Sequence, residues 1–464
     1  MGNSAVQCLP ASFRDPAGYV FRREGEILRA VTAQGAADYT HFMQCGLGAA
    51  LTQDNLLLGH VEMQGKPDGW PDVLHVLRPE QLEFVSYPYE WCFSQLKDAA
   101  LLTLEIQRRA LEKGMSLKDA SAFNVQFRGG QPVFIDTLSF ERDEGGPWAA
   151  YEQFCRHFLA PLLLMKTVSP DIGRLLSGDL GGIGLALASR MLGWRTYLSA
   201  GALLHVHLHA RAITAQSPAG GMRKPEAGRQ AKPGLTESLR RAVEGTRLPR
   251  SESEWSGYED HLTHYGAEAL EAKSKFVEEA INRTPRGLVY DVGGNTGLYS
   301  RMAAAAGHLC VLFDADIACV ERAYRRGKEA NESRILPLRL DVSNPTPALG
   351  VNLCERSSLF ERPKAGLVMA LALVHHLRLR ENIPFGMMAD FFSRLGERLL
   401  IEWVGPEDEK ASVMLAAKKM PPADYNLSAF LDAFSSLYRL TGKLPLAGMD
   451  RQLLLFECMN STKP

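Results

Sequence analysis

No two of the eight cysteines, at 8, 45, 92, 155, 310, 319, 354 and 458, stand at CxxC spacing. That excludes zinc-cluster and thioredoxin-like patterns. Scattered thiols in a large chain read as the reduced cysteines of a cytoplasmic protein. Long apolar runs are lacking too. Even such runs as FLAPLLLM at 158–165 fall far short of the ~20 residues that span a bilayer, so no membrane insertion is expected. Charge of one sign is also missing: 52 Lys and Arg face 53 Asp and Glu, for a net −1. Such a balance favours neither nucleic acid nor an anionic membrane as partner. The first residues, MGNSAVQCLP, hold no basic stretch followed by an apolar one, which argues against a secretory signal. Val6 stands where a myristoylation motif needs Ser or Thr. No internal repeat is visible.

What the chain does have is two halves of different pattern. The segment TAQSPAGGMRKPEAGRQAKPG, from residue 214 to 234, is rich in Gly, Pro and charge and has no apolar periodicity. It is expected to be a flexible linker over 214–236, because such composition buries too little surface to offset the entropy of ordering. The organisation expected is then 1–213 as an α+β domain and 237–464 as an α/β domain. In the first half, GYVFRREGEILRAV suggests a hairpin around Gly25 and VQFRGGQPVFIDTLSF a second one turned by Gly129-Gly130. Helices are expected at 35–52, 91–113, 150–166 and 181–213. In the second half strands and helices alternate. GLVYDV, HLCVLFDAD, RILPLRLDV, AGLVMALAL and ERLLIEWVG read as the strand series of a mostly parallel, helix-covered sheet.

The run DVGGNTG, Asp291 to Gly297, follows a strand and opens a helix. Glycines there remove Cβ atoms where a ligand crosses the carboxyl end of the strand. The spacing is GGxxG rather than the GxGxxG of a pyrophosphate site, and Asp291 would repel a phosphate. A ligand with an amine or a cationic centre suits that acid better. The next strand ends in Asp314, with Asp316 close by, placed to accept from ribose hydroxyls. The third ends in Asp341, placed at an adenine amino group. Asp314 is the choice for the ribose, and Asp316 then caps the next helix.

Three consecutive strands ending in acids, behind a glycine-rich turn, resemble the class I S-adenosylmethionine-dependent methyltransferases over about residues 250–460. The resemblance implies a Rossmann-like fold, S-adenosyl-L-methionine as cofactor, and Asp291, Gly293, Gly294, Asn295, Gly297, Asp314 and Asp341 as the residues that bind it. Asn295 replaces the family's middle glycine, and asparagine tolerates positive φ. A dinucleotide-binding sheet and a sheet without ligand are the other readings of the turn. The segments LALVHHL, ERSSLFER and NIPF further resemble a bacterial nodulation-protein-like group of methyltransferases with the same two-part layout. In this fold the methyl acceptor lies beyond the fourth strand, where His375 and His376 stand. A histidine there can take a proton from a hydroxyl, or it can simply pack in the turn. Glu402, ending the fifth strand, is expected to face the same cleft.

The first half holds a second pattern. Asp119 is followed by Asn124 at D-x4-N spacing, then by a hairpin and Asp136. This resembles the catalytic loop of aminoglycoside-phosphotransferase-type and protein kinases. The resemblance implies Asp119 orienting an acceptor hydroxyl, and Asn124 and Asp136 holding magnesium against ATP. Leu117-Lys118 departs from the family's His-Arg or His-Gly, and no glycine-rich phosphate loop is present. Arg29 is the nearest basic residue to the place of the family's strand lysine, and 84–91 suits the segment joining the two lobes. His205, His207 and His209 alternate without a carboxylate or cysteine nearby, so helix packing is expected of them rather than metal binding.

The reading that follows is a kinase-like α+β domain joined to a Rossmann-like methyltransferase domain. Methyl transfer would go to an unidentified small-molecule or glycan acceptor, with acceptor or nucleotide bound in the first half. A bifunctional kinase–methyltransferase using ATP–Mg at Asp119, Asn124 and Asp136 is one alternative. A non-catalytic interaction protein is another.

Overall fold

The computed structural model describes residues 6–65, 70–215, 231–248, 266–419 and 425–459. It comprises two compact units. The first is Met1–Arg250 with Ala348–Arg356, and the second is Ser251–Pro347 with Ser357–Pro464. No helix among the described residues is long and apolar enough to cross a membrane.

The first unit opens on a five-stranded antiparallel sheet of β1 (Gln7–Cys8), β2 (Gly18–Arg23), β3 (Glu26–Thr32), β4 (His60–Met63) and β5 (Val73–Pro79), in the order β1-β2-β3-β5-β4. The β2–β3 hairpin turns at Glu24 and Gly25, both at positive φ (53° and 84°). That is the two-residue turn whose twist matches the strands. A segment without regular strand leads to the helix Phe93–Glu112, which buries Leu96, Ala99, Thr103, Leu104, Gln107 and Ala110 along one face. Its spacing is that of an amphipathic helix laid on a core. Four short strands follow: β6 (Met115–Leu117), β7 (Val125–Arg128), β8 (Gln131–Phe134) and β9 (Phe140–Arg142). β7 and β8 form a hairpin over Gly129-Gly130, and β6 pairs with β9 around it.

The helix Ala231–Glu244 belongs to this unit, with Arg240 bonded to Glu105 (2.7 Å) and Lys97 Nζ donating to the Glu244 and Thr246 carbonyls. The boundary expected at 236/237 therefore falls too early. Nothing in the composition of residues 236–245 says which core their apolar stripe joins. The linker expected at 214–236 lies mostly outside the described residues. The stretch 181–213 is not one helix but Leu185–Met191, a 3-10 turn at Trp194–Leu198, and helical turns from Ala200.

The second unit is built on β10 (Leu288–Val292), β11 (Leu309–Asp314), β12 (Ile335–Arg339), β13 (Leu367–Ala370), β14 (Arg398–Val404), β15 (Tyr438–Pro445) and β16 (Arg451–Cys458). The order is β12-β11-β10-β13-β14-β16-β15, with β16 antiparallel to both its neighbours and the rest of the run from β12 to β14 parallel. The parallel strands are apolar almost throughout, as strands covered on both faces must be. Val289, Leu367, Met369 and Leu400 meet Val277 and Ile281 of the helix Ala267–Asn282 in one core. The β15–β16 hairpin extends the strand series expected from sequence. Chain order reverses between β10 and β13, and a crevice at the carboxyl end of β10 is where an open α/β sheet binds its ligand. This seven-stranded arrangement is an open, mostly parallel α/β sheet.

Candidate functional site

The turn after β10 meets that crevice. Gly293, Asn295 and Gly297 take φ of 76°, 52° and 94°, so the backbone curls back on itself. Asn295 thus adopts the left-handed conformation that its place in the motif requires. The amides of Gly293 and Gly294 donate to the Phe313 carbonyl (2.8 and 3.1 Å). A Cβ on Gly294 would stand 2.8 Å from Asp291 Oδ2 and 2.9 Å from Leu312 Cγ, so only glycine fits. Asp291 is buried, and its Oδ2 accepts from Ser300 Oγ at 2.6 Å.

Asp314 ends β11. Its Oδ2 accepts from the Asn295 amide and its Oδ1 from the Asp316 amide, both at 2.8 Å. The carboxylate therefore ties the glycine turn to the second strand. Burial pushes the Asp314 carboxyl up to about 6, while the backbone donors hold it back. Asp316 caps the helix Ile317–Glu329 through the Ala318 amide, the part expected of it. Asp341, beyond β12, accepts from the amide and hydroxyl of Ser343 (2.9 and 2.6 Å) in a local turn. The glycine cradle and the acids at three successive strand ends suit a nucleoside with hydroxyls and an amino group.

Beyond β13 the chain passes through Ala372 at φ 52°, a strained position for a residue with a Cβ. His375 and His376 follow with ring centroids 4.1 Å apart. His375 is fully buried, and neither ring nitrogen has a hydrogen-bond partner. Burial, with His376 next in weight, holds its pKa well below the ordinary value. Burial, then the charge of Arg380, brings His376 down to about 4. Both imidazoles are neutral at pH 7.

Glu402 departs from expectation. It does not face open space but is fully buried, with Lys273 Nζ at 2.7 Å and Arg451 Nη1 at 3.4 Å. Arg451 also holds Asp408 at 2.7 Å. The arrangement is an ion-pair network that satisfies charges inside the fold. Lys273 escaped the sequence reading, yet a signal existed: it takes an interior place in the stripe Ala269, Lys273, Val277, Ala280, Ile281, all buried on one helix face.

In the first unit, Asp119, Asn124 and Asp136 do come together, lining one cavity of 1120 Å³. Asp119 Oδ1 accepts from the Ser121 amide (2.9 Å), and burial raises its pKa. Asn124 Nδ2 donates to Ser139 Oγ (3.0 Å), which donates to Asp136 Oδ2 (2.7 Å). Asp136 Oδ1 accepts from the Leu138 amide (3.1 Å) and lies 2.9 Å from Arg29 Nη2. The pair Asn124 and Asp136, expected to hold magnesium, does not fit a divalent ion: the carboxylate is already met by three donors, one of them a cation. Among the described residues no group of three or more His, Cys, Asp or Glu could hold a metal.

The three alternating histidines are structural: His205 bonds Tyr151 and Ser238, and His207 bonds Ser189 and Thr196. His209 stacks on Tyr151.

No family model matches the chain. Nodulation protein NoeA of Rhizobium meliloti (strain 1021) is 32% identical over 462 residues, with 96% of this chain and 95% of NoeA covered. Among solved structures, the N-methyltransferase NodS of Bradyrhizobium japonicum WM9 is 11% identical, covering 40% of this chain and 96% of its own, at a TM-score of 0.30. The bifunctional kinase-methyltransferase WbdD is 14% identical, covering 41% of this chain and 38% of its own, at a TM-score of 0.29. The chain thus matches well under half of WbdD's length.

Proposed function

The chain belongs to the family of nodulation protein NoeA, and from that premise we propose that its second unit transfers a methyl group from S-adenosylmethionine to a hydroxylated small molecule or glycan in the cytoplasm. The observation that carries this reading is the cradle at the carboxyl end of β10. Three positive-φ residues curl there, a Cβ on Gly294 would not fit, and Asp314 is tied to the curl through the Asn295 amide. Asp291, Gly293, Gly294, Asn295 and Gly297 shape the methionine side, Asp314 takes the ribose hydroxyls and Asp341 the adenine edge. Bound there, the cofactor supplies a sulfonium methyl group ready for displacement.

The chain's own contribution is alignment, which can supply a large part of the rate when nucleophile and leaving group are held in line. His375 and His376 stand where the acceptor is expected. A histidine brought down to about 4 is a weak base at pH 7. As a neutral ring, the partly exposed His376 orients an acceptor hydroxyl, whose proton passes to water or buffer once the methyl is transferred. Glu402, held between Lys273 and Arg451, keeps the floor of the unit rigid rather than touching the acceptor.

Titration calorimetry of the full chain with S-adenosylmethionine tests the reading. One site is expected, and Asp314→Ala weakens it about tenfold or more, the loss of roughly one charge-assisted hydrogen bond. No binding by the unaltered chain overturns the proposal. Incubation with labelled cofactor and fractionated cell extract then identifies the acceptor.

A further inference from the structure

The cavity of the first unit carries its own cation. Arg29 Nη2 lies 2.9 Å from Asp15 Oδ2 and 2.9 Å from Asp136 Oδ1. A divalent ion would bridge two such carboxylates in the same way. A guanidinium keeps its proton at every physiological pH, so the place stays filled.

We propose that this kinase-like unit binds neither a divalent cation nor Mg–ATP, because Arg29 fills the place between Asp15 and Asp136 that the ion would bridge, and that its cavity holds a neutral, hydroxyl-rich small molecule by hydrogen bonds.

The charge lining the cavity agrees. Five Arg and Lys face six Asp and Glu. Without a metal, a polyphosphate meets no surplus of positive charge there. Most of those charges are already spent on one another: Arg14 on Glu355 (2.7 Å), Arg29 on Asp15 and Asp136, Arg156 on Asp179 (3.4 Å). What remains is an alternation of donors and acceptors. Lys118 forms no ion pair among the described residues. His157 is buried, and its Nδ1 has no partner. Asp119 and Asn124 stand beside them. A hydroxyl both donates and accepts, so a ligand bearing several of them can satisfy all four residues. The cavity, at 1120 Å³, is large enough for a sugar-sized molecule.

The test melts the full chain without S-adenosylmethionine, so its failure is separate from that of the methyl-transfer reading. Mg–ATP and Mn2+ alone are expected to leave Tm where it is. At least one neutral sugar among glucose, galactose, mannose and maltose raises it, and the rise is lost in Asn124→Ala. Calorimetry with Mn2+ is expected to show a site in Arg29→Gln, where Asp15 and Asp136 face each other without a cation, and none in the unaltered chain. Should that variant fail to fold, the arms on the unaltered chain still decide. A rise in Tm with Mg–ATP, equal Mn2+ binding by both proteins, or no response to any of the four sugars overturns the proposal.

Discussion

Lowering the pH should release the cofactor through one carboxyl group. Asp314 titrates at about 6 because burial disfavours its charge. Ribose hydroxyls donate to a carboxylate far better than to a carboxylic acid, so the cofactor selects the ionised form. Apparent affinity should then scale with the ionised fraction. Relative to pH 8 it falls about twofold at pH 6 and about tenfold at pH 5. The sign for stability is opposite. A carboxyl raised in the folded state binds its proton more tightly there than when unfolded, so this group's contribution to stability declines as pH rises from 3.8 toward about 6. Loss of cofactor at pH 5 therefore cannot be put down to this group unfolding the chain. Calorimetry with S-adenosylmethionine from pH 5 to 8, with circular dichroism at each point, measures the effect. Asp314→Asn should bind more weakly and with a flat profile over the same range. A flat profile in the unaltered chain, or the same bend in Asp314→Asn, refutes the reasoning.

Other consequences concern the frame around the cradle. Glu402→Gln strands Lys273 in the interior and should cost ~3–5 kcal/mol by denaturant melting, while Glu402→Leu with Lys273→Met should recover much of that loss. Equal losses in the two proteins would mean that the pair is not a unit. Gly294→Ala forces a Cβ against Asp291 and Leu312 and should cost ~1–3 kcal/mol, seen as a lower denaturation midpoint. Because His376 titrates at about 4 and His375 well below its ordinary value, methyl transfer at saturating cofactor should show no inflection near pH 6.5; one that vanishes in His376→Phe would restore a histidine base.

The cradle was legible because its determinants are local. Glycines and an asparagine at positive φ, an acid at a strand end and a helix start all lie within a few residues of one another. The loop and hairpin from Asp119 to Asp136 are local in the same sense, and the turn at Gly129-Gly130 announced itself. What escaped was set by distant partners. Glu402 reads as an exposed strand-end acid until Lys273, 129 positions earlier, is seen against it. The ion pair of Arg29 with Asp136 joins a strand to a loop that no spacing links. The stretch 348–356 gives no sign in its composition that it belongs to the first unit, where Glu355 meets Arg14 and Arg356 lies over Phe123. The β15–β16 hairpin carries no clear strand signal because YRLTGKLPLAGMDRQLLLFEC mixes exposed alternation in one strand with near-continuous burial in the next. Only a place between β14 and β15 explains the second pattern.

A crystal of the full chain grown with S-adenosylhomocysteine probes the central claim most directly. The account predicts the nucleoside over the glycine turn, with both ribose hydroxyls within hydrogen-bond distance of the Asp314 carboxylate. The nucleoside bound elsewhere, or the turn closed by its own side chains in the presence of saturating ligand, would contradict it.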